Sequence, residues 1–259
     1  MLTVTDLSLK LGRRTILDQI GLTAHPGQVT AVVGPSGAGK STLLAALTGD
    51  LGYQGSITLN ALNIATASAV ELADIRAVLP QATPMSFPFT VLEVVRMGRM
   101  RMAADDHIAI QALRRVGLTG FEGRFYQELS GGEQQRVQLA RVLVQVWEPV
   151  SQSGDPRWLF LDEPVSSLDI SHQLQVMAII QNFAAQGGGV MMVMHDLNLT
   201  AMCANSVILL SNGGVLHQGS VGETLQDDLL SRAYGCDIAV NRTPDSGVFL
   251  LPQMARIPQ

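Results

Sequence analysis

Cysteine is nearly absent from the 259-residue chain: Cys203 and Cys236 are the only two, and neither has metal-ligand spacing. A structural zinc site or a disulfide framework is therefore excluded from the reading, and a reducing compartment is expected. Charge is also scarce. Only 15% of residues are Asp, Glu, Lys or Arg against 47% apolar, and the net charge is −5. That balance argues against bulk electrostatic binding to nucleic acid or to an anionic lipid surface. No apolar run approaches the roughly 18–20 residues that span a bilayer. The start, Met1-Leu2-Thr3-Val4-Thr5-Asp6, has no basic region leading into an apolar stretch, so no signal peptide is expected. A cytosolic chain follows, with any membrane role carried by a partner. Aromatics make up 5%, and no Phe, Tyr or Trp precedes Tyr53. Internal repeats are missing too, so each motif occurs once.

What is present is a large globular chain with ample core. Residues 2–33 read as several short strands: Leu2–Val4, Ser8–Leu11, Ile20–Ala24 and Val29–Val33. Gly12-Arg13-Arg14 and His25-Pro26-Gly27-Gln28 form the turns between them. Strands at that density before any helix suggest an antiparallel flap, with Gly55–Asn60 as one more member. Val70–Ala77 reads as a helix and Val78-Leu79-Pro80-Gln81 as a short strand running into a polar hinge. Three helical stretches follow: one after Phe87-Pro88-Phe89, then Asp105–Val116 and Gly132–Val146. Trp147–Arg157 reads as a polar surface loop. Trp158–Leu161 and Val190–Met194 are wholly apolar runs of the kind buried on both faces of a parallel sheet, with Ile170–Ala185 as the crossover helix. Val207–Leu210 and Gly214–Leu216 flank Asn212-Gly213, a strong hairpin turn.

The chemistry centres on Gly34-Pro35-Ser36-Gly37-Ala38-Gly39-Lys40-Ser41-Thr42. An apolar β-branched strand precedes this loop and good helix formers follow it, which is the context a phosphate-binding loop requires. Glycines let backbone N–H groups converge, and the helix start adds positive potential. Lys40 supplies charge for the β- and γ-phosphates of a nucleotide, and Ser41 offers a hydroxyl to Mg²⁺.

Asp162 and Glu163 directly follow an apolar strand, where ligands of an α/β sheet bind. Asp162 is expected to share Mg²⁺ with Ser41, and Glu163 to polarise the attacking water. His195 ends the Val190–Met194 strand and is expected beside the γ-phosphate. Gln81, at the hinge, can reach the metal or the water through its carbonyl. Leu129-Ser130-Gly131-Gly132-Glu133-Gln134-Gln135-Arg136 contains a capping box, S-x-x-E, with two glycines at the helix start. A glycine-flanked helix N-terminus is a second phosphate site. With one copy of each site per chain, two chains placed head to tail would complete each other's pockets.

These residues together resemble the ATP-binding subunits of ABC transporters over nearly the whole chain. Gly34–Thr42 looks like the Walker A motif, Trp158–Asp162 like Walker B with Glu163 as catalytic base, and Gln81 like the Q-loop. Leu129–Gln134 resembles the signature motif, Ser167-Leu168-Asp169 the D-loop and His195 the switch histidine. The resemblance implies a single P-loop NTPase (RecA-like) α/β domain over 1–259. Its core spans 1–82 and 156–259 with an antiparallel β flap, and a helical subdomain is inserted at 83–155. It also implies that Ser130, Gly131, Gly132, Glu133 and Asp169 act in trans on ATP held by the other copy. A homodimer, two transmembrane permease subunits and, indirectly, a periplasmic binding protein are the implied partners. The implied location is the cytoplasmic face of a bacterial inner membrane.

Phe87–Arg99 is similar to importers for iron–siderophores, haem and cobalamin. Leu139–Leu143, the proline-containing insert and Pro156–Pro164 are most similar to hemin-import ATP-binding proteins. Hemin import is thus the leading expectation, with a ferric-siderophore or cobalamin importer as the alternative. A soluble ABC ATPase acting on ribosomes or DNA is a distant alternative, since such relatives carry two motif sets or long coiled-coil insertions. A small-molecule kinase leaves Ser130–Glu133 unexplained. One departure stands out: the family stacks adenine on an aromatic near positions 9 or 11, which are Leu9 and Leu11 here.

Overall fold

The structure is a computed structural model describing residues 1–81, 85, 87–99 and 106–255. The chain opens with β1 (Leu2–Leu11), β2 (Arg14–Ala24) and β3 (Val29–Val33), and then enters α1 (Lys40–Leu47). β4 (Gln54–Leu59), β5 (Leu62–Asn63), α2 (Ala69–Ile75) and β6 (Arg76–Leu79) follow. Helices α3 (Val91–Arg96), α4 (Asp106–Arg115) and α5 (Gly131–Gln145) come next. The chain continues through β7 (Trp158–Asp162), α6 (Ile170–Ala185), β8 (Gly189–Val193) and α7 (Leu197–Cys203). It closes with β9 (Ser206–Ser211), β10 (Gly214–Ser220), α8 (Val221–Thr224) and α9 (Asp227–Tyr234).

Among the described residues two sheets form. The antiparallel sheet runs β2-β1-β4-β5, and the larger one runs β10-β9-β3-β8-β7-β6 with every pair parallel except β9–β10. The larger sheet is covered on both faces, and the strict period of two along its strands shows how. Leu159 and Leu161 of β7, Val190 and Met192 of β8, and Val207 and Leu209 of β9 face a core shared with α3, α4, α5 and α6. Trp158, Phe160, Met191, Val193, Ile208 and Leu210 face a second core closed by α1 and the antiparallel sheet.

Two expectations change in detail. The first 24 residues form two long strands instead of several short ones. The polar pair Thr5-Asp6 reads as an interruption, but the pairing slips there as a bulge, and Asp6 (φ 50) and Gln19 (φ 49) take the left-handed turn. The helix expected over 70–77 stops at Ile75, because Arg76–Leu79 pairs with β7 as the sheet's outer strand. The hinge expected just beyond Gln81, the 82/83 boundary and Asp105 lie outside the described residues.

Helix starts are well marked. Ser68, Thr90, Ser130 and Ser220 each form a reciprocal capping box with the glutamate three residues on. α3, α4 and α5 all follow β6 and precede β7, so the helical stretch is an insertion between neighbouring strands of the sheet.

Candidate active site

Strand register sets the site. Leu79 pairs with Leu161, Asp162 with Val193, and Val32 with Val193. Parallel strands so aligned bring their carboxyl ends to one edge at a spacing of about 4.8 Å per strand. Gly34, Glu163, His195 and Gln81 all follow those ends. The edge is also where the strand order reverses about β3, the place at which open α/β sheets bind ligands.

The loop at β3 is tightly drawn. Gly34 has φ 147, and a Cβ there would lie 2.1 Å from the carbonyl oxygen of Leu210, so only glycine fits. Gly39 (φ 100) caps α1 without a side chain. Lys40 is buried and folds back: its Nζ donates to the carbonyls of Gly34 at 2.8 Å and Pro35 at 3.0 Å. Burial lowers its pKa, opposed by the negative charges of Glu163 and Asp162.

Ser41 Oγ donates to Asp162 Oδ1 at 3.3 Å. Burial raises the Asp162 pKa, the Ser41 hydrogen bond works against that, and neighbouring Glu163 adds to it. A hydroxyl and a buried carboxylate oxygen side by side form a hard-oxygen donor pair, the chemistry Mg²⁺ requires. Raising the Asp162 pKa by burial leaves its charge wanting a cation, so the residues present fit that ion.

Glu163 is the hub. Its Oε1 accepts from His195 Nε2 at 2.6 Å and from Gln81 Nε2 at 3.2 Å. Thus the side chain expected to activate water is held by His195 and also by Gln81, which is expected to reach the metal or the water through its carbonyl and here donates through its amide N–H instead. Its backbone sits at φ 51, which costs an L-residue on the order of 1 kcal/mol or more. Gln81 reaches Glu163 and not the Ser41–Asp162 pair.

Ser130, Gly131, Gly132 and Glu133 start α5. Ser130 and Glu133 spend their side chains on one another: Glu133 Oε2 accepts from Ser130 N at 2.8 Å, and Ser130 Oγ accepts from Glu133 N at 3.4 Å. Three other helices carry the same box, so the box alone is a helix device; the glycine pair is what sets α5 apart. Those glycines leave the helix end open, while Gly132 abuts the carbonyl oxygen of Ser167, 3.0 Å from where a Cβ would sit. Asp169 caps α6, accepting from His172 N at 2.9 Å, and its carboxylate also meets His172 Nδ1 at 2.8 and 2.9 Å. The backbone hydrogen bond from His172 leads the forces that lower the Asp169 pKa.

Two site-supporting residues escape the sequence reading. Gln135 Nε2 donates to the Glu163 carbonyl at 2.8 Å, and Gln135 Oε1 accepts from Ser167 N at 3.3 Å. His172 is the second, through Asp169. The available signal was polarity inside a buried helix: Arg136 and Gln138 of α5 are buried beside it.

A glycine-cradled loop, a buried Lys, a Ser–Asp pair and a clamped Glu at one edge of a parallel sheet define a P-loop nucleoside triphosphatase. The ABC transporter family profile matches residues 17–166, more than half of the chain, and the chain belongs to that family. The hemin import ATP-binding protein HmuV of Jannaschia sp. (strain CCS1) is 57% identical, over 99% of this chain and 96% of its own. HmuV of Chelativorans sp. (strain BNC1) is 53% identical over 99% and 100%. Among solved structures, an inward-facing ABC transporter described as metal-chelate type superposes with a TM-score of 0.74 at 27% identity, covering 90% of this chain and 88% of that one.

Proposed function

We propose that this chain is the ATP-hydrolysing, energy-coupling subunit of a bacterial importer for hemin. The observation that carries the ATPase part is the Glu163 cluster: base, histidine and glutamine meet beside the phosphate loop and the Ser41–Asp162 pair. Support for hemin as cargo comes from the names of relatives that match over nearly full length. The alternative cargo is a ferric siderophore or cobalamin; the metal-chelate type transporter among the structural neighbours is consistent with it.

In this reading the amides of Gly34–Thr42 and the Lys40 ammonium bind the β- and γ-phosphates. Lys40 exchanges the Gly34 and Pro35 carbonyls for phosphate oxygens. Mg²⁺, when bound, would neutralise charge on the phosphates, and Ser41 and Asp162 would hold it; Gln81 would join them only by turning its carbonyl in from its present contact with Glu163. Glu163 takes the proton of the attacking water as its oxygen bonds to the γ-phosphorus and the β–γ bridging bond breaks, leaving ADP and inorganic phosphate. His195 holds Glu163 and then the γ-phosphate. Ser130, Gly131, Gly132, Glu133 and Asp169 complete the pocket of a second copy, so two chains close over two ATP.

Residues 83–155 form the subdomain that meets the permease. Residues 1–82 with 156–259 form the nucleotide-binding core. Among the described residues no helix is long and apolar enough to cross a membrane; attachment to the cytoplasmic face of the inner membrane runs through two permease subunits, and a periplasmic binding protein delivers the cargo. Growth on hemin as the sole iron source tests the reading. Deleting the gene should abolish that growth while siderophore-fed growth persists; the opposite pattern assigns the cargo to siderophores.

A further inference from the structure

Among the described residues, the hydrogen bonds between α5 and the loop after β7 run through one side chain. Gln135 lies one turn into α5, just beyond the glycines of its open end. Its amide spans to the loop twice, donating to the Glu163 carbonyl and accepting from the Ser167 amide. Nearby, Gly132 packs on the Ser167 carbonyl without room to spare. The neighbouring Gln134 turns the other way and ties the segment before the helix, through the carbonyls of Tyr126 and Leu129. α5 is therefore fastened on one side to its own lead-in and on the other to residues 163–167.

What Gln135 fastens is not ordinary backbone. Glu163 holds a left-handed conformation that L-residues disfavour. Its carbonyl also accepts from Ser166 N and Ser166 Oγ, both at 3.3 Å, which are longer bonds than the 2.8 Å bond from Gln135. The same loop continues to Asp169, the cap of α6. A shift of α5 is thus transmitted to the peptide that aims the Glu163 carboxylate and to the segment leading to Asp169.

We propose that Gln135 is a positioning residue that couples the two ATP pockets of the dimer, by joining the helix end that reads the partner's ATP to the base that serves the chain's own. This rests on the reading of a shared pocket given above. An ATP engaged by Ser130 and the glycines moves α5, and Gln135 passes that movement to Glu163 through a single amide. Occupancy of one pocket then sets the geometry of the other, which is coupling between distinct sites in the thermodynamic sense.

The test is steady-state turnover of Mg·ATP by the full-length chain across ATP concentration, for the unmodified protein and for Gln135→Met. Met keeps the length and bulk and removes both hydrogen bonds. The expected result is a kcat lower by roughly 10-fold or more, as a misaimed base implies. Half-saturation should stay within about twofold, because the variant leaves the phosphate loop untouched. The Hill coefficient should fall from well above 1 to about 1. An unchanged kcat and Hill coefficient overturns the proposal, as does a parallel loss of kcat, affinity and Tm. A Hill coefficient of about 1 in the unmodified protein also overturns it. Should the Met variant not fold, Gln135→Asn, one methylene too short to span to the loop, carries the same expectations. Failure of the unmodified protein to hydrolyse ATP at all sinks the ATPase reading instead.

Discussion

Replacing Glu163 by Gln removes a base and little else. Gln keeps an oxygen at the Oε1 position, so it still accepts from His195 Nε2 at 2.6 Å and from Gln81 Nε2 at 3.2 Å. The backbone at φ 51 and the Gln135 bond to the carbonyl are unaffected, because neither involves the side chain. What is lost is the ability to accept a proton from water. A positioned general base contributes about 10²–10⁴ in rate, equivalent to roughly 3–5.5 kcal/mol of barrier. ATP binding should hold or tighten, because Lys40 and the loop remain and one negative charge beside the triphosphate disappears. The assay is phosphate release from Mg·ATP in a single turnover, beside equilibrium binding of ATP to the same sample. A kcat within about threefold of the unmodified protein would show that another group takes the proton, since a base loss that small lies below the range for general-base catalysis. A matching loss of ATP binding would show instead that Glu163 is structural.

Two further outcomes follow from the same geometry. Asp162→Asn should stop Mg-dependent turnover yet raise the Tm of the nucleotide-free protein, by about 2–4 °C for each kcal/mol relieved in a chain of this size. The sign comes from burial: the raised pKa means ionised Asp162 costs stability above its folded pKa, and that cost fades as pH falls through it, so the two proteins' Tm values should converge in acid. A lower Tm for the Asn variant at neutral pH contradicts this. Leu9 is buried in the antiparallel sheet while Leu11 is half exposed; an adenine placed there, as the family resemblance implies, would meet an aliphatic edge. Losing ~1 kcal/mol of stacking lowers base preference by about fivefold; competition between ATP and GTP should show nearly equal affinities, and a strong preference for ATP refutes the expectation.

Much of the site can be read from local sequence, because its parts are strand ends and helix starts. Apolar runs leading into Gly34, Asp162-Glu163 and His195 specify buried parallel strands, and parallel strands bring their carboxyl ends together. The Ser130–Glu133 box specifies a helix start with the same directness. The flap strands are less transparent, since bulges at Asp6 and Gln19 break the alternation without ending the pairing. Gln135 is opaque for a different reason: its partners lie 28 and 32 residues away on a loop whose approach to α5 depends on the packing of the whole helical insertion. His172 reads as an ordinary helix residue until Asp169 is seen to turn its carboxylate on it. Partner and cargo come from resemblance to relatives, since hemin leaves no mark on the residues that handle ATP.

A photoreactive azidoanilide on the γ-phosphate of ATP tests the shared pocket directly. Mix an affinity-tagged Lys40→Ala chain with an untagged chain that retains Lys40, irradiate, and map the label. A pocket built from two copies places the label on the Ser130–Glu133 peptide of the Lys40→Ala chain, and only when the Lys40 chain is present. Label confined to the chain that keeps its own Lys40 would mean that each copy grips its triphosphate alone.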